Sequence, residues 1–237
     1  MKTTIRMGAL GVAATLAMTG AAQAALIDRG GGLIYDTDLN VTWLQDANYA
    51  QTSGYDTDGL MLWTTATTWA ADLTYHDSIR NVTYDDWRLP TTTDTGTSGC
   101  NFAYSGTDCG YNVDPASSEM AHLYFFELGN LSYYTTTGAN SGAYEGGTNP
   151  NSTLDNVGPF INFQSSIYWS GTEYAPNTSD AWLFYTFDGY QYYTSKPNSY
   201  YALAVRPGDV AAVPEAQTYA LMLAGLGLIG WRARRRG

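Results

Sequence analysis

The two ends of the chain confine any folded domain to its middle. Residues 1–24 and 213–237 are both apolar with a few basic residues, and the second segment ends in an uncharged run of 13 residues, Tyr219 to Trp231, followed by four arginines. A helix of that length rises only about 20 Å, which is short for a stable bilayer span but suits a temporary membrane anchor. An ordinary C-terminal core helix is the alternative, but it should be amphipathic and would not end in an arginine cluster. About 190 residues remain between the ends, enough for one domain with a hydrophobic core.

Residues 1–24 have the organisation of a secretory signal peptide. Lys2 and Arg6 form the charged n-region, an Ala/Leu/Gly-rich h-region follows, and an Ala-Gln-Ala triplet closes the segment. This order predicts cleavage by signal peptidase between Ala24 and Ala25. The C-terminal arginines are expected to stay on the cytoplasmic side by the positive-inside rule, so the middle of the chain would be exported.

The segment 213–237 resembles the PEP-CTERM sorting signal of Gram-negative bacteria, some of whose members carry the label ice-binding protein C-terminal motif. That pattern is Val-Pro-Glu-Pro, a short apolar helix and an arginine cluster, and Ala216 here replaces the second proline. The resemblance implies recognition by an exosortase, transient insertion in the inner membrane, removal of the tail, and release to the cell surface or extracellular matrix. The residues that carry it are Val213, Pro214, Glu215, Arg234, Arg235 and Arg236.

The exported part of the chain is strongly acidic. Of 11 basic and 22 acidic residues, the two ends hold Lys2, Arg6, Glu215 and the four terminal arginines, which leaves 5 basic and 21 acidic residues and a net charge of −16. Such a surface repels phosphate backbones, so nucleic acid is not expected as a partner. Charged residues make up only 14% of the chain, against about 25% in a typical soluble domain, so hydroxyl and amide side chains must solvate the surface.

The hydrophobic pattern predicts an α+β domain over residues 25–209. Two helices are expected. The first covers 64–73, with Thr64 as N-cap and a stripe of Ala66, Trp69, Ala70 and Leu73, and the second covers 115–128, with Asp114 as cap and Gly129 as end. Long polar loops are expected over 91–112 and 132–158. Apolar alternation and turn signals predict strands over 33–35, 41–44, 167–170, 182–187, 190–194 and 200–206. Asp188-Gly189 is expected as a two-residue hairpin turn between 182–187 and 190–194, and residues 201, 203 and 205 are expected to face one way. We therefore expect a small twisted antiparallel sheet flanked by two helices, and a separate hydrophobic helix in the C-terminal segment.

Local patterns also predict which side chains are buried. Trp87 and Leu89 share one face of an extended segment that Pro90 keeps out of the helical region. Trp169 and Trp182 are expected in the core. Arg88 and Arg206 are expected to link strands through carboxylates such as Asp85 or Asp86.

No resident metal or cofactor is predicted. Cys100 and Cys109 lie close together in an exported chain, which predicts a disulfide, and a zinc pair is disfavoured because neither histidine is at ligand spacing. The Asp-x-Asp-x-Asn pattern starting at Asp36 favours a hairpin turn over a calcium loop, because Val41 stands where that loop needs Gly and Ala47 where it needs Glu. Calcium stays open as a ligand of the acidic residues, although the motifs of calcium-dependent lectins are absent.

Several motifs resemble the Lcl C-terminal domain family. The resemblance covers most of residues 25–209 and implies a fold near those of C-type lectins and the formylglycine-generating enzyme. Its named example binds sulfated polysaccharides, which the acidic charge of this domain disfavours unless a cation bridges them. The motifs are Leu33–Asp36, Val41–Leu44, Asp85–Thr91, Tyr168–Thr172, Ala181–Trp182, Gly189–Tyr190, Lys196 and Ala204–Pro207.

The residue inventory favours binding over catalysis. Neither histidine, His76 or His122, belongs to a nucleophile motif, and no G-x-S-x-G, H-E-x-x-H or P-loop occurs. We therefore predict a non-catalytic, lectin-like module for carbohydrate or matrix polymer, with a structural matrix protein as the alternative. Ice binding is disfavoured because the threonine runs lie in loops. The predicted ligand contacts are Tyr190, Tyr192, Tyr193 and Lys196, unless these tyrosines merely fill and edge the domain.

Overall fold

The structure, a computed structural model, describes residues 26–96, 100, 108–142 and 154–211. The predicted signal peptide, the Ala24–Ala25 junction, the predicted C-terminal helix and the sorting residues from Val213 to Arg236 lie outside the described residues, as do parts of the polar loops predicted over 91–112 and 132–158. Within the described residues, no helix has the length and apolar character needed to cross a membrane.

Four antiparallel strands form the first sheet. They are β1 (Leu26–Gly30), β2 (Leu33–Asp36), β3 (Val41–Leu44) and β12 (Val205–Pro207), in the order β1-β2-β3-β12. The predicted hairpin is confirmed, since Asp36 pairs with Val41 and the turn closes at Asn40 with a φ of 52°.

The second sheet contains β7 (Gly110–Tyr111), β8 (Ile167–Glu173), β9 (Asp180–Tyr185) and β10 (Tyr190–Ser195), in the order β7-β10-β9-β8. The predicted two-residue turn between β9 and β10 is wrong. Tyr185 pairs with Tyr190, so four residues form the turn. The cause is Thr186, which is buried and hydrogen-bonds to the neighbouring segment, accepting from the N–H of Ser166 at 3.0 Å and donating to the carbonyl of Gln164 at 2.7 Å.

Two short strand pairs complete the β-structure: β4 (Met61–Leu62) with β11 (Ser199–Tyr200), and β5 (Tyr75–Asp77) with β6 (Val82–Tyr84). The structure therefore has more than the one sheet that we predicted, although its mixture of helices and antiparallel strands agrees with the α+β class.

The predicted strand over 200–206 is interrupted, and the segment between its two ends joins the two main sheets. Tyr201 hydrogen-bonds to β8, donating its N–H to the carbonyl of Ile167 at 3.1 Å, whereas Val205 exchanges two bonds of 2.9 Å with Arg88 beside the first sheet. The segment thus crosses from one sheet to the other. Its alternation is as predicted: residues 201, 203 and 205 pack in one core cluster, and Ala202 and Ala204 in the other.

The first helical region packs in the core cluster that contains Ala202 and Ala204. A short helix, α1 (Tyr49–Thr52), precedes α2 (Trp63–Asp72), which joins this cluster through the predicted stripe of Ala66, Trp69, Ala70 and Leu73. The predicted cap at Thr64 is wrong. The helix begins one residue earlier, and no side chain caps it, because its N-cap residue is Leu62, whose side chain has no hydrogen-bond acceptor. The N–H of Trp63 donates to the carbonyl of Lys196 at 3.1 Å.

The predicted second helix is broken into three pieces: a 3₁₀ turn (Pro115–Ser117), α3 (Glu119–Ala121) and a π-helix (His122–Glu127). Asp114 caps the first piece as predicted, and Gly129, with a φ of 65°, follows the last. The break at Ser118 has a tertiary cause. Segment 91–93 pairs with 117–119 through bonds such as Glu119 N–H to the Thr91 carbonyl at 3.1 Å, which holds Ser118 in an extended conformation.

The buried tryptophans, the disulfide and one of the two arginine ion pairs agree with the predictions. Trp87, Trp169 and Trp182 are buried, and Cys100 and Cys109 form the predicted disulfide. Arg206 pairs with Asp86 in a bidentate ion pair, also as predicted. Arg88 instead pairs with Glu119, at 2.6 Å, because the pairing of 91–93 with 117–119 brings that carboxylate beside it.

Candidate functional site

A continuous row of tyrosine rings follows β10, and we call it the tyrosine strip. The ring centroids of successive members are 3.6 to 5.6 Å apart, within the range of aromatic contacts. All members are half-buried except the last, which is buried. In order, the strip consists of Tyr134, Tyr111, Tyr190, Tyr192, Tyr193 and Tyr174.

The geometry changes along the strip. Tyr174 and Tyr193 stack face to face, with centroids 3.6 Å apart and planes 7° apart. Tyr192 lies nearly parallel to both Tyr193 and Tyr190, but at 4.8 and 5.6 Å. These centroid distances exceed the roughly 3.5 Å between two rings in face-to-face contact, so neighbouring rings are offset and overlap only in part. Part of each half-buried ring therefore stays at the surface.

Strand pairing explains how separate segments form one row. Tyr190 and Tyr192 lie two residues apart on β10 and so project to the same side. Tyr193 follows Tyr192 directly and projects to the other side of β10, yet the two ring centroids lie only 4.8 Å apart. Tyr111 joins because it pairs directly with Tyr190.

Only three of the six members were among our predicted contacts. Tyr190, Tyr192 and Tyr193 lie together as expected from a single strand. Tyr111, Tyr134 and Tyr174 come from distant segments, and their place in the row depends on tertiary pairing that sequence patterns do not show. The adjacent pair Tyr133 and Tyr134 in a polar loop was the one available signal.

Lys196, the fourth predicted contact, is held by other groups. Its Nζ donates to Oε1 of Glu173 at 2.5 Å and to the carbonyl of Thr178 at 2.6 Å, and it lies 4.3 Å from the ring centroid of Trp63. The ammonium group therefore links β8 to the segment before β9 rather than extending the strip.

A small pocket lies at one end of the strip. It measures about 130 Å³ and is lined by Tyr111, Tyr133, Phe187 and Asp188. Asp188 accepts the backbone N–H of Tyr190 at 3.1 Å and the hydroxyl of Tyr111 at 3.4 Å. Burial raises the pKa of the Asp188 carboxyl to about 6, and it also raises the pKa of the Tyr111 hydroxyl. The pocket thus presents a carboxylate acceptor between aromatic walls.

A second cavity, of about 160 Å³, lies beside β3 and is lined mainly by Leu44, Tyr49, Tyr75 and Ile161. Its carboxylate, Asp46, already accepts the Thr52 hydroxyl at 2.7 Å. It shares no residue with the strip, and two more of its polar side chains donate to backbone carbonyls, Gln45 to Pro159 and Tyr75 to Gly31, both at 2.8 Å.

Comparison with known proteins identifies one region of the chain. Residues 212–236 match the PEP-CTERM protein-sorting motif, which confirms the predicted sorting signal. The motif indicates a secreted protein that an exosortase processes and that resides at the cell surface or outside the cell. No curated protein and no solved structure matches the chain. No match supports the resemblance to the Lcl C-terminal domain family, which therefore stays a prediction.

Proposed function

We propose that this exported protein is a non-catalytic module that binds a neutral extracellular polysaccharide along the tyrosine strip. The strip itself carries the proposal. Its offset rings offer apolar surface on which the C–H face of a sugar can pack, and their phenol groups can hydrogen-bond to sugar hydroxyls. A row of several rings suits a polymer better than a single small molecule.

The end pocket supports the same ligand class. Its volume of about 130 Å³ is below the roughly 300–1,000 Å³ of typical small-molecule sites, so it would take one unit of a longer ligand. Asp188 and the Tyr111 hydroxyl lie in its wall, where they can orient a sugar by hydrogen bonds.

Charge favours a neutral polymer over a sulfated or uronic-acid one. The domain has a net charge of −16 after the two ends are set aside. Each of the five basic side chains in the described residues is engaged by a carboxylate, which leaves none dedicated to an anionic ligand. The pairs are Arg29–Asp209, Arg80–Asp77, Arg88–Glu119, Lys196–Glu173 and Arg206–Asp86.

A structural matrix protein without a specific ligand is the second candidate. The observation that favours it is the way the rings pack on each other: Tyr174 is buried, and Tyr192 packs against the main core cluster. On that account the strip would stabilise β10 and the segments packed on it.

Binding of the full-length protein to a panel of neutral and acidic polysaccharides separates the two candidates. We expect specific binding to a neutral polymer that weakens at least tenfold in Tyr192→Ala and in Tyr193→Ala, equivalent to about 1.4 kcal/mol. Tyr55→Ala removes an exposed tyrosine away from the strip and should leave binding unchanged. A folded wild-type protein that binds no polymer would favour the structural candidate.

A further inference from the structure

Three side chains with metal-ligating atoms converge where the π-helix meets the end of β2. Asp36 lies at the end of β2, and His122 and Glu127 are the first and last residues of the π-helix. Nε2 of His122 is 3.4 Å from Oε1 of Glu127 and 4.0 Å from Oδ1 of Asp36. One ligand atom from each of the three lies within 4.8 Å of the others.

The cluster is buried, and its charges are poorly compensated. The exposed fractions of the side chains are 0% for Asp36, 11% for His122 and 2% for Glu127. Asp36 accepts two backbone N–H groups and the indole N–H of Trp43. Glu127 has no hydrogen-bond donor other than His122 within the part of the chain that the structure describes. Burial, and next the charge of Asp36, raise the pKa of the Glu127 carboxyl.

No basic side chain of the described residues serves this pair of carboxylates. All five are engaged by other carboxylates, as the ion pairs above show. Two buried carboxylates beside one imidazole are costly to keep without a further positive charge, since a buried charge must be paired or bound to a metal. A bound cation that takes all three groups as ligands would offset this cost.

We propose that Asp36, His122 and Glu127 bind a divalent transition-metal ion, with zinc as the best-fitting ion. Zinc takes imidazole nitrogen and carboxylate oxygen at about 2.0–2.2 Å, which places tetrahedral ligand atoms roughly 3.3–3.6 Å apart. The His122–Glu127 distance of 3.4 Å already meets this spacing. The Asp36 oxygen lies within 4.8 Å of both other ligand atoms, so it would have to move by about 1 Å or less. The metal would fasten the end of β2 to the π-helix.

The ligand set distinguishes zinc from calcium. Calcium takes six to eight oxygen ligands, whereas imidazole suits zinc and other transition metals. The site is thus unlike the calcium sites that the acidic composition left open. It also differs from our expectation of no metal, which rested on the spacing of the histidines from the cysteines.

The π-helix is the reason that the sequence does not show this site. Residues five apart in an α-helix are separated by about 140° around the axis, so His122 and Glu127 would diverge. A π-helix has wider turns and brings residues five apart to one side, and such turns are frequent at functional sites.

Calorimetry on the full-length chain, stripped with EDTA and freed of chelator, tests the proposal. We expect one zinc ion bound per chain and no comparable heat from calcium. His122→Gln and Glu127→Gln should weaken zinc binding at least ~100-fold, since each removes a direct ligand. The matched controls are His76→Gln and Glu173→Gln, which alter the other histidine and an exposed glutamate and should bind zinc like the wild type.

A second measurement does not depend on the folding of variants. The chain has only two histidines, so ¹⁵N-histidine labelling of the wild type yields two readily assigned side chains. Zinc should shift the Nε2 resonance of His122 and leave that of His76 in place. Absence of zinc binding by the wild type, or an unmoved His122 resonance on zinc addition, would overturn the proposal and leave a buried ion pair in its place.

Discussion

Asp188 lies in the proposed binding pocket, and burial of its charged carboxylate lowers the stability of the folded protein at neutral pH. Its carboxyl has a pKa of about 6 because it is buried, against roughly 3.9 in an unfolded chain. Because the folded-state pKa is the higher one, the folded protein holds the proton more tightly. The resulting contribution to stability is fully present below about pH 4 and is lost as the pH rises through about 6.

Asp188→Asn should therefore raise the free energy of unfolding at pH 7.5 by about 1–2 kcal/mol and change it little at pH 4. The amide keeps an oxygen that can accept from Tyr111 and from the N–H of Tyr190. Urea denaturation at the two pH values measures the effect, with the exposed Asp85→Asn as control. An equal effect of Asp188→Asn at both pH values would show that the carboxyl is not buried as described.

Burial of single residues was largely predictable, and their long-range partners were not. Strand alternation placed Trp87 and Leu89 together on a buried face, and helical spacing placed Trp69 and Ala70 in the core. Local patterns carry this information because they follow the period of each element. The choice of Glu119 by Arg88 depends on two segments meeting in space, which no local pattern encodes.

The turn between β9 and β10 shows how an element depends on its neighbours. Gly189 has a φ of 71°, and a Cβ atom there would lie 3.0 Å from the ring of Phe125 and 3.0 Å from the Cα of Ser132. Gly208 has a similar φ of 75° with nothing within 4 Å of such an atom. Both glycines thus have a left-handed backbone conformation that would strain another residue, but they differ in steric contact.

Gly208→Ala should cost about 1 kcal/mol of stability through backbone strain alone. Gly189→Ala should cost more, about 2–4 kcal/mol, because the added methyl group also meets the backbone of Ser132. Thermal or urea unfolding of the two variants beside the wild type measures both values. Equal losses in the two variants would mean that the turn is not packed against Phe125 and Ser132.

The elements themselves were predicted better than their interruptions. The Asp-Gly pair correctly marked a turn but not its length, which Thr186 sets through bonds to a distant segment. The second helix was correctly placed between Asp114 and Gly129, but its break at Ser118 follows from pairing with segment 91–93. Propensity predicts where an element forms, and tertiary hydrogen bonds decide where it breaks.

The sorting of the protein was predictable from a short motif, whereas its candidate binding site, the tyrosine strip, was predictable only in part. The sorting motif over 212–236 is contiguous, so sequence alone reveals it. The tyrosine strip is assembled from β7, β10 and two loops, and sequence pointed only to its members on β10. Its proposed role rests on that assembled geometry and on the acidic charge of the exported domain.

Fractionation of cells that possess an exosortase tests the central claim, that the tail sorts the protein and the strip retains it. We expect the wild-type chain in the extracellular matrix. A chain with Arg234, Arg235 and Arg236 all changed to Gln should stay with the cells, because the sorting motif is lost. Tyr192→Ala/Tyr193→Ala should be exported but recovered in the soluble medium. Delivery of the arginine variant to the matrix in wild-type amounts would contradict the sorting claim, and wild-type retention of the tyrosine variant would contradict the role of the strip.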